Sequence, residues 1–290
     1  MAEMRFGLNV PTSAGPGADP VAAARRAEEL GFDFVSSNDH LHGRSANHET
    51  WTMLSWMAAA TKRIQLASRV LATPYRHPAV LAKMAETFDR LSGGRLILGL
   101  GGGYSDEEFR AFGLGERSPR DKVDGMQEAI QVIRGLWNEP GFTFEGRIYR
   151  TEAAELTPKP DHRIPIWLGT YGPRALAVTG RLADGWIPTY ELALPEQVTG
   201  MRDRVLATAE KAGRDPSAIT CVYNVDVRVE ENADVESFVI AGSSEQLAEQ
   251  LAGFARLGFH AMNFCPAGPG EDEQAEMLAK EVIPALRAAL

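Results

Sequence analysis

Short apolar runs recur along this chain about every 30 residues, and each is followed by a stretch with helical periodicity. Met4–Val10, Phe32–Ser36, Arg63–Leu71 and Leu96–Leu100 read as the first four strands. Between them, Asp19 caps a helix with Pro20 at its first position and the periodic Val21–Leu30 behind it, and Gly31 stops it. A second helix lies near Thr50–Thr61, and His77-Pro78 opens a third that runs to Leu91, where Ser92-Gly-Gly94 breaks it. Strands separated by helices cannot pair as tight hairpins, so the pattern calls for stacked βα units and a parallel sheet.

A helix at Arg120–Trp137 follows, and then the pattern is interrupted over Asn138–Arg163. In that segment Phe142-Thr-Phe144 and Arg147-Ile-Tyr149 flank Glu145-Gly146, which reads as an inserted β-hairpin. The alternation then resumes with strands at Ile164–Gly169, Gly185–Pro188, Ile219–Val229 and His260–Cys265. Their helices are Pro173–Leu182, Pro195–Ala212, Ser244–Leu257 and Glu271–Leu290. Eight strands alternating with eight helices over 290 residues predict an α/β (βα)8 TIM barrel with insertions, with an open doubly wound sheet as the alternative. No Pro/Ser-rich linker divides the chain, so residues 1–290 are expected to form one domain carrying the insertion 138–163.

The fourth strand empties into Gly101-Gly-Gly103, followed by Tyr104 and a helix start at Ser105-Asp-Glu-Glu108. Glycine lets a ligand approach the main chain closely, and a helix start beyond it suits an anion. The dinucleotide fingerprint fails here: Gly99-x-Gly101 needs a glycine where Tyr104 stands, and no acidic residue ends a strand about 20 residues later.

A net charge of −9 without a Lys/Arg run of five residues argues against nucleic acid and anionic membrane surfaces as partners. No apolar run reaches the ~20 residues of a membrane helix, and no leader-type apolar segment is expected. Cys221 and Cys265 fall in or at the end of strands and read as buried thiols, which suits a reducing cytoplasm.

In a barrel, the active face lies at the carboxyl ends of the strands. The residues expected there, among them Asn9, Asn38, Asp39, His40, Arg69 and Gly101 to Tyr104, are rich in amide, glycine and aromatic groups, as if to hold something large and flat. Asp39-His40 is the sharpest ionisable pair, since imidazole exchanges a proton near neutral pH. His40-x-His42 resembles paired metal ligands, but no further histidine reaches the same face, so a metal is not expected. No Gly-x-Ser-x-Gly elbow is present. Trp186 is the tryptophan best placed to line a pocket, and Arg174, in the first turn after Gly172-Pro173, is a candidate phosphate contact.

Several stretches match one family in order. They include Asn38-Asp-His40, Leu71-Ala-Thr-Pro-Tyr-Arg-His-Pro78, Asp89-Arg-Leu-Ser-Gly-Gly-Arg95, Leu98-Gly-Leu-Gly-Gly-Gly-Tyr104, Pro165-Ile-Trp-Leu-Gly169, Gly172-Pro-Arg-Ala-Leu176 and Ala183-Asp-Gly-Trp186. From Arg5 to about Pro266 the chain resembles the bacterial luciferase-like oxidoreductases, and within them most the branch that uses coenzyme F420, a deazaflavin. The resemblance implies a (βα)8 barrel, commonly a homodimer, with the flavin at the carboxyl face and a small organic substrate beside it. By position, Asp39 and the backbone near Ala72 would contact the deazaflavin head. Gly102, Gly103 and Tyr104 would lie along the cofactor tail, and Thr170, Tyr171 and Gly172 near its phosphate. His40, with Asp39, would be the acid/base beside the ring, and a non-proline cis peptide would fall at Arg69–Val70, bringing Val70 to the cofactor. The sugar-phosphate dehydrogenases of the family carry a glutamate where Tyr104 stands, so the chain departs from them there. The alternatives are an FMN-dependent monooxygenase with a separate reductase, a non-catalytic flavin-binding protein, and a metal hydrolase.

Overall fold

The computed structural model describes residues 4–41, 43 and 45–290. Eight parallel strands close into a barrel: β1 (Arg5–Asn9), β2 (Phe34–Ser37), β3 (Gln65–Ser68), β4 (Leu96–Gly101), β5 (Ile166–Leu168), β6 (Gly185–Trp186), β7 (Thr220–Val229) and β8 (Ala261–Pro266). Each pairs with the next in sequence order, and Arg5 beside Ala261 joins β1 to β8, so no edge is left open. The alternation of strand and helix thus resolves as the closed barrel rather than the open sheet.

The interior is filled by Phe34, Ala67, Ile97, Trp167, Ile187, Val222 and Ala261. Large and small positions are matched across it: a Cβ on Gly7 would stand 2.1 Å from the Phe34 ring and one on Gly185 2.3 Å from Trp167, while Phe34 and Trp167 meet edge to face at 5.5 Å. The apolar faces of the outer helices pack on the barrel in a second, larger core. These helices are α1 (Pro20–Leu30), α2 (Thr50–Ala60), α3 (Pro78–Ser92), α4 (Asp106–Ala111), α5 (Pro119–Asn138), α6 (Pro173–Leu182), α7 (Pro195–Lys211), α8 (Ser244–Arg256), α9 (Glu271–Met277) and α10 (Ile283–Ala289). Arg95 is buried at the start of β4, where its guanidinium donates to the carbonyls of Ala58, Thr61, Ile64 and Ser92 and to the Thr61 hydroxyl. That full set of acceptors is what makes a buried arginine tolerable.

The structure departs from the sequence expectations in four places. The third strand is interrupted: Gln65–Ser68 ends at a cis Arg69–Val70 bond, and a two-residue strand, Leu71–Ala72, continues beside β4. The inserted hairpin pairs Phe142–Glu145 with Arg150–Ala154, later than expected, because Arg147, Ile148 and Tyr149 donate their amides to the Glu128 carboxylate instead of to a strand. A short strand, Val239–Gly242, adds to the outside of β7, where no element was expected. The last helix is three pieces, with a π turn over Leu278–Val282 just before Pro284. Proline lacks the N–H a regular helix needs, and a widened turn is one way to absorb that loss.

Candidate active site

The carboxyl ends of the strands surround a cleft of about 540 Å³. One side is main chain: Gly101, Gly102 and Gly103 at the end of β4, and Gly169 after β5. Val70 lies against it, and a Cβ on Gly101 would stand 2.7 Å from a Val70 methyl. A Cβ on Gly99, one pleat below, would fall 1.8 Å from the Ser68 carbonyl. Gly99 and Gly101 therefore let the end of β3 close down on β4, while Gly102 and Gly103 make room for Lys122 and the Phe109 ring. Deeper down, Ser36 donates to Asn263, Asn263 to Asn224, and Asn224 to the carbonyls of Ile187 and Pro188. This chain satisfies the polar groups under the cleft without placing a charge there.

The Asp39-His40 pair divides in the fold. Asp39 turns inward, and its fully buried carboxylate accepts from Arg76 at 2.8 and 3.2 Å and from the Ala72 amide at 3.0 Å. Both oxygens are held by these donors, and Asp39 makes no contact with His40, so within the protein it acts to fix the loop after β3. The Ala72 amide is likewise spent on Asp39.

His40 is held by a residue the sequence reading did not single out. Its Nδ1 lies 2.7 Å from Oε1 of Glu108, whose other oxygen accepts from the Leu41 amide at 2.9 Å and from the Tyr75 hydroxyl. Burial pushes the Glu108 carboxyl up, but the hydrogen bonds from Tyr75, His40 and Leu41 outweigh it and hold the group below the usual carboxylate range. Burial and the bond to Glu108 push the Tyr75 phenol well up, so it remains a donor. An ionised Glu108 can only accept, so Nδ1 of His40 carries a proton and Nε2 is the nitrogen left for a ligand. Nε2 has no partner among the described residues. The signal in the sequence was Ser105-x-x-Glu108, a capping pattern, and Ser105 does cap α4 by accepting from the Glu108 amide at 3.3 Å. The cap accounts for the amide; the carboxylate goes to His40, 68 residues earlier.

The helix after the glycines is not the anion site that the sequence suggested. α4 has six residues and carries Asp106, Glu107 and Glu108 in its first turn, which cancels its dipole. α6 is the better candidate: Gly172 stands at its N-cap, no side chain caps it, and its first turn holds no acid. Arg174 there is paired with Asp124 at 2.6 Å.

Asn38, Asp39, His40, Val70, Ala72, Gly102, Gly103, Tyr104 and Tyr171 all line the cleft, with Tyr104 82% exposed at its rim. Thr170 is buried with its hydroxyl 2.7 Å from that of Thr179, Gly172 is exposed, and neither lines the cleft. Trp186 does not reach the cleft. It is buried between β5 and β7, stacked on Phe259, and donates Nε1 to the Thr170 carbonyl at 2.9 Å. The two thiols are buried and unpaired, and burial pushes them up, Cys265 to about 11 and Cys221 to about 12. Among the described residues no group of three or more His, Cys, Asp or Glu could hold a metal ion, and His42 lies outside those residues. No helix among them is long and apolar enough to cross a membrane.

The family model described as luciferase-like monooxygenase matches residues 4–235. The chain belongs to that family. Among its relatives is an F420-dependent glucose-6-phosphate dehydrogenase of Intrasporangium calvum, 29% identical over an alignment of 314 positions that covers 90% of this chain and 92% of the relative. Among solved structures, an F420-dependent secondary alcohol dehydrogenase in complex with an F420-acetone adduct superposes with a TM-score of 0.90, at 21% identity over 98% of this chain and 99% of that one. The coenzyme F420 dependent tetrahydromethanopterin reductase from Methanopyrus kandleri gives 0.84, at 21% identity over 98% and 100%. At these identities the superpositions show the shared fold of luciferase-like proteins.

Proposed function

We propose that the chain is an F420-dependent oxidoreductase that transfers a hydride between the deazaflavin and a small organic substrate, reducing an activated C=C or C=N bond or oxidising an alcohol. The observation that carries the reading is His40, locked at Nδ1 by an ionised Glu108 and free at Nε2, in the same cleft as the main chain of Gly101, Gly102 and Gly103. The F420 dependence of its relatives supports the choice of cofactor.

The residues fit such a group. A planar ring system needs close approach to main chain, and Gly101, Gly102 and Gly103 lie in the cleft lining with Val70 and Ala72 beside them. A phosphate suits the uncapped start of α6 at Gly172, close to Tyr171. Asp39 would set the cofactor head indirectly, through the Ala72 loop it holds. When bound, a reduced deazaflavin supplies hydride from the carbon that stands where a flavin has N5.

The protein's share is positioning and one proton. His40 Nε2 gives a proton to the substrate heteroatom or enolate during reduction and takes one during alcohol oxidation, while Glu108 keeps the ring oriented. Tyr104 replaces the glutamate of the family's sugar-phosphate dehydrogenases, which argues for a substrate other than a sugar phosphate. Replacing His40 with Ala should slow single-turnover hydride transfer about 10²–10⁴-fold with cofactor affinity nearly unchanged. A single-turnover rate equal to wild type would remove His40 from the chemistry.

A further inference from the structure

The two residues joined at the end of β3 send their side chains to opposite halves of the barrel mouth. Val70 packs over β4 and β5, against Gly99, Gly101 and Gly169. Arg69 turns the other way: its Nε donates to Asn9 at the end of β1 at 3.1 Å, and its charge acts on Asp226 of β7 and Cys265 of β8. Nε is the only guanidinium nitrogen in use, so both terminal amino groups lack a hydrogen-bond partner among the described residues. Arg69 is half-buried and lines the cleft, where it is the sole permanent cation among the described residues.

A guanidinium fork fixed at Nε, with both ends free in a cleft, matches the two oxygens of a carboxylate. The surrounding charges set the number of negative charges it can take. Glu191 also lines the cleft, and Asp226 lies within electrostatic reach of Arg69. Burial pushes the Asp226 carboxyl up, Glu191 adds to this, and Arg69 opposes it. A single cation with two acids nearby disfavours a phosphate dianion, and a monoanion is the most it can take. We propose that Arg69 is the substrate-recognition residue of the cleft and that the physiological substrate is a small carbonyl or enone compound bearing a carboxylate. This rests on the hydride-transfer reading only in naming the carbonyl. The anion site itself stands on the free end of Arg69, which Asn9 holds at Nε, with Asn38 beside it in the lining.

The test uses 4-oxopentanoate and its neutral methyl ester as dead-end ligands of the protein loaded with oxidised F420, with inorganic phosphate as a third probe, all read by calorimetry. The carboxylate should bind about tenfold to a hundredfold more tightly than the ester, the usual worth of a charge-assisted hydrogen bond. Arg69→Gln should abolish that preference, and Arg69→Lys should restore part of it. Both variants should retain wild-type cofactor affinity, which also establishes that they fold. Equal binding of acid and ester by the native protein, binding of neither, a preference that survives in R69Q, or phosphate binding as tight as the carboxylate would each overturn the proposal. If the protein takes up no F420, the hydride-transfer reading fails, and the same comparison on the cofactor-free protein decides the anion site independently.

Discussion

Glu108→Gln isolates the contact on which the chemistry depends. The carboxylate is buried, nearly isosteric with the amide, and accepts from three donors: His40 Nδ1, the Leu41 amide and the Tyr75 hydroxyl. Glutamine keeps one carbonyl oxygen, but it places an NH2 against donors on the other side. At His40 a charge-assisted bond of about 1.5–3 kcal/mol gives way to a neutral one of about 0.5–1.5 kcal/mol. The loss of about 1–1.5 kcal/mol, if felt in the transition state, is roughly tenfold in rate. Where the NH2 faces Nδ1, the ring must switch tautomer, and the proton moves to Nε2, the nitrogen meant to exchange it. Together these set the expected fall in single-turnover hydride transfer at about 10–10²-fold, with substrate KM little changed. Stopped-flow measurement of deazaflavin absorbance gives the rate, and ¹⁵N spectra of the labelled imidazole report the tautomer directly. Since Glu108 acts through His40, the double variant E108Q/H40A should be no slower than H40A alone. Rates that multiply in the double variant, or an E108Q protein with wild-type rate and a changed tautomer, would refute the positioning role.

Two further outcomes follow from the charges around the site and the barrel. Arg76→Met leaves the fully buried Asp39 carboxylate with only the Ala72 amide, and should cost about 3–5 kcal/mol in denaturant unfolding, together with weaker cofactor binding as the loop after β3 loosens. Glu28 on α1 is pushed up by burial, but accepting from the amides of Lys62, Arg63 and Ile64 brings it from 4.5 to about 2. Its contribution to stability is therefore complete above pH 4.5 and is lost as pH falls toward about 2. Unfolding curves of Glu28→Gln should be less stable than wild type at neutral pH and flatter across that window, and parallel curves would contradict the assignment.

The barrel was legible because its cause is local. Helical periodicity after each apolar run and caps such as Asp19 and Gly31 act within a few residues. The elements missed were those set by distant partners. Val239–Gly242 is a strand only because β7 runs past the barrel and offers an edge, and the hairpin register follows Glu128, about 20 residues upstream. The site divides the same way. The sequence order placed His40, Val70 and the glycines at one face, since strand ends converge in any closed barrel. It could not pair them. Asp39 and His40 are adjacent in sequence, yet successive residues leaving a strand point apart, so Arg76 takes one and Glu108 the other. Trp186 was misjudged for the same reason: its indole N–H finds the Thr170 carbonyl inside the wall.

The most direct test of the account is a side-by-side titration of the cofactor-free protein with oxidised F420 and with FMN, read by fluorescence quenching. Micromolar or tighter binding of F420 with FMN much weaker is the predicted result, and Gly101→Ala, whose Cβ would displace Val70, should weaken it. Preference for FMN would contradict the hydride-transfer account and point to oxygen chemistry with a separate reductase.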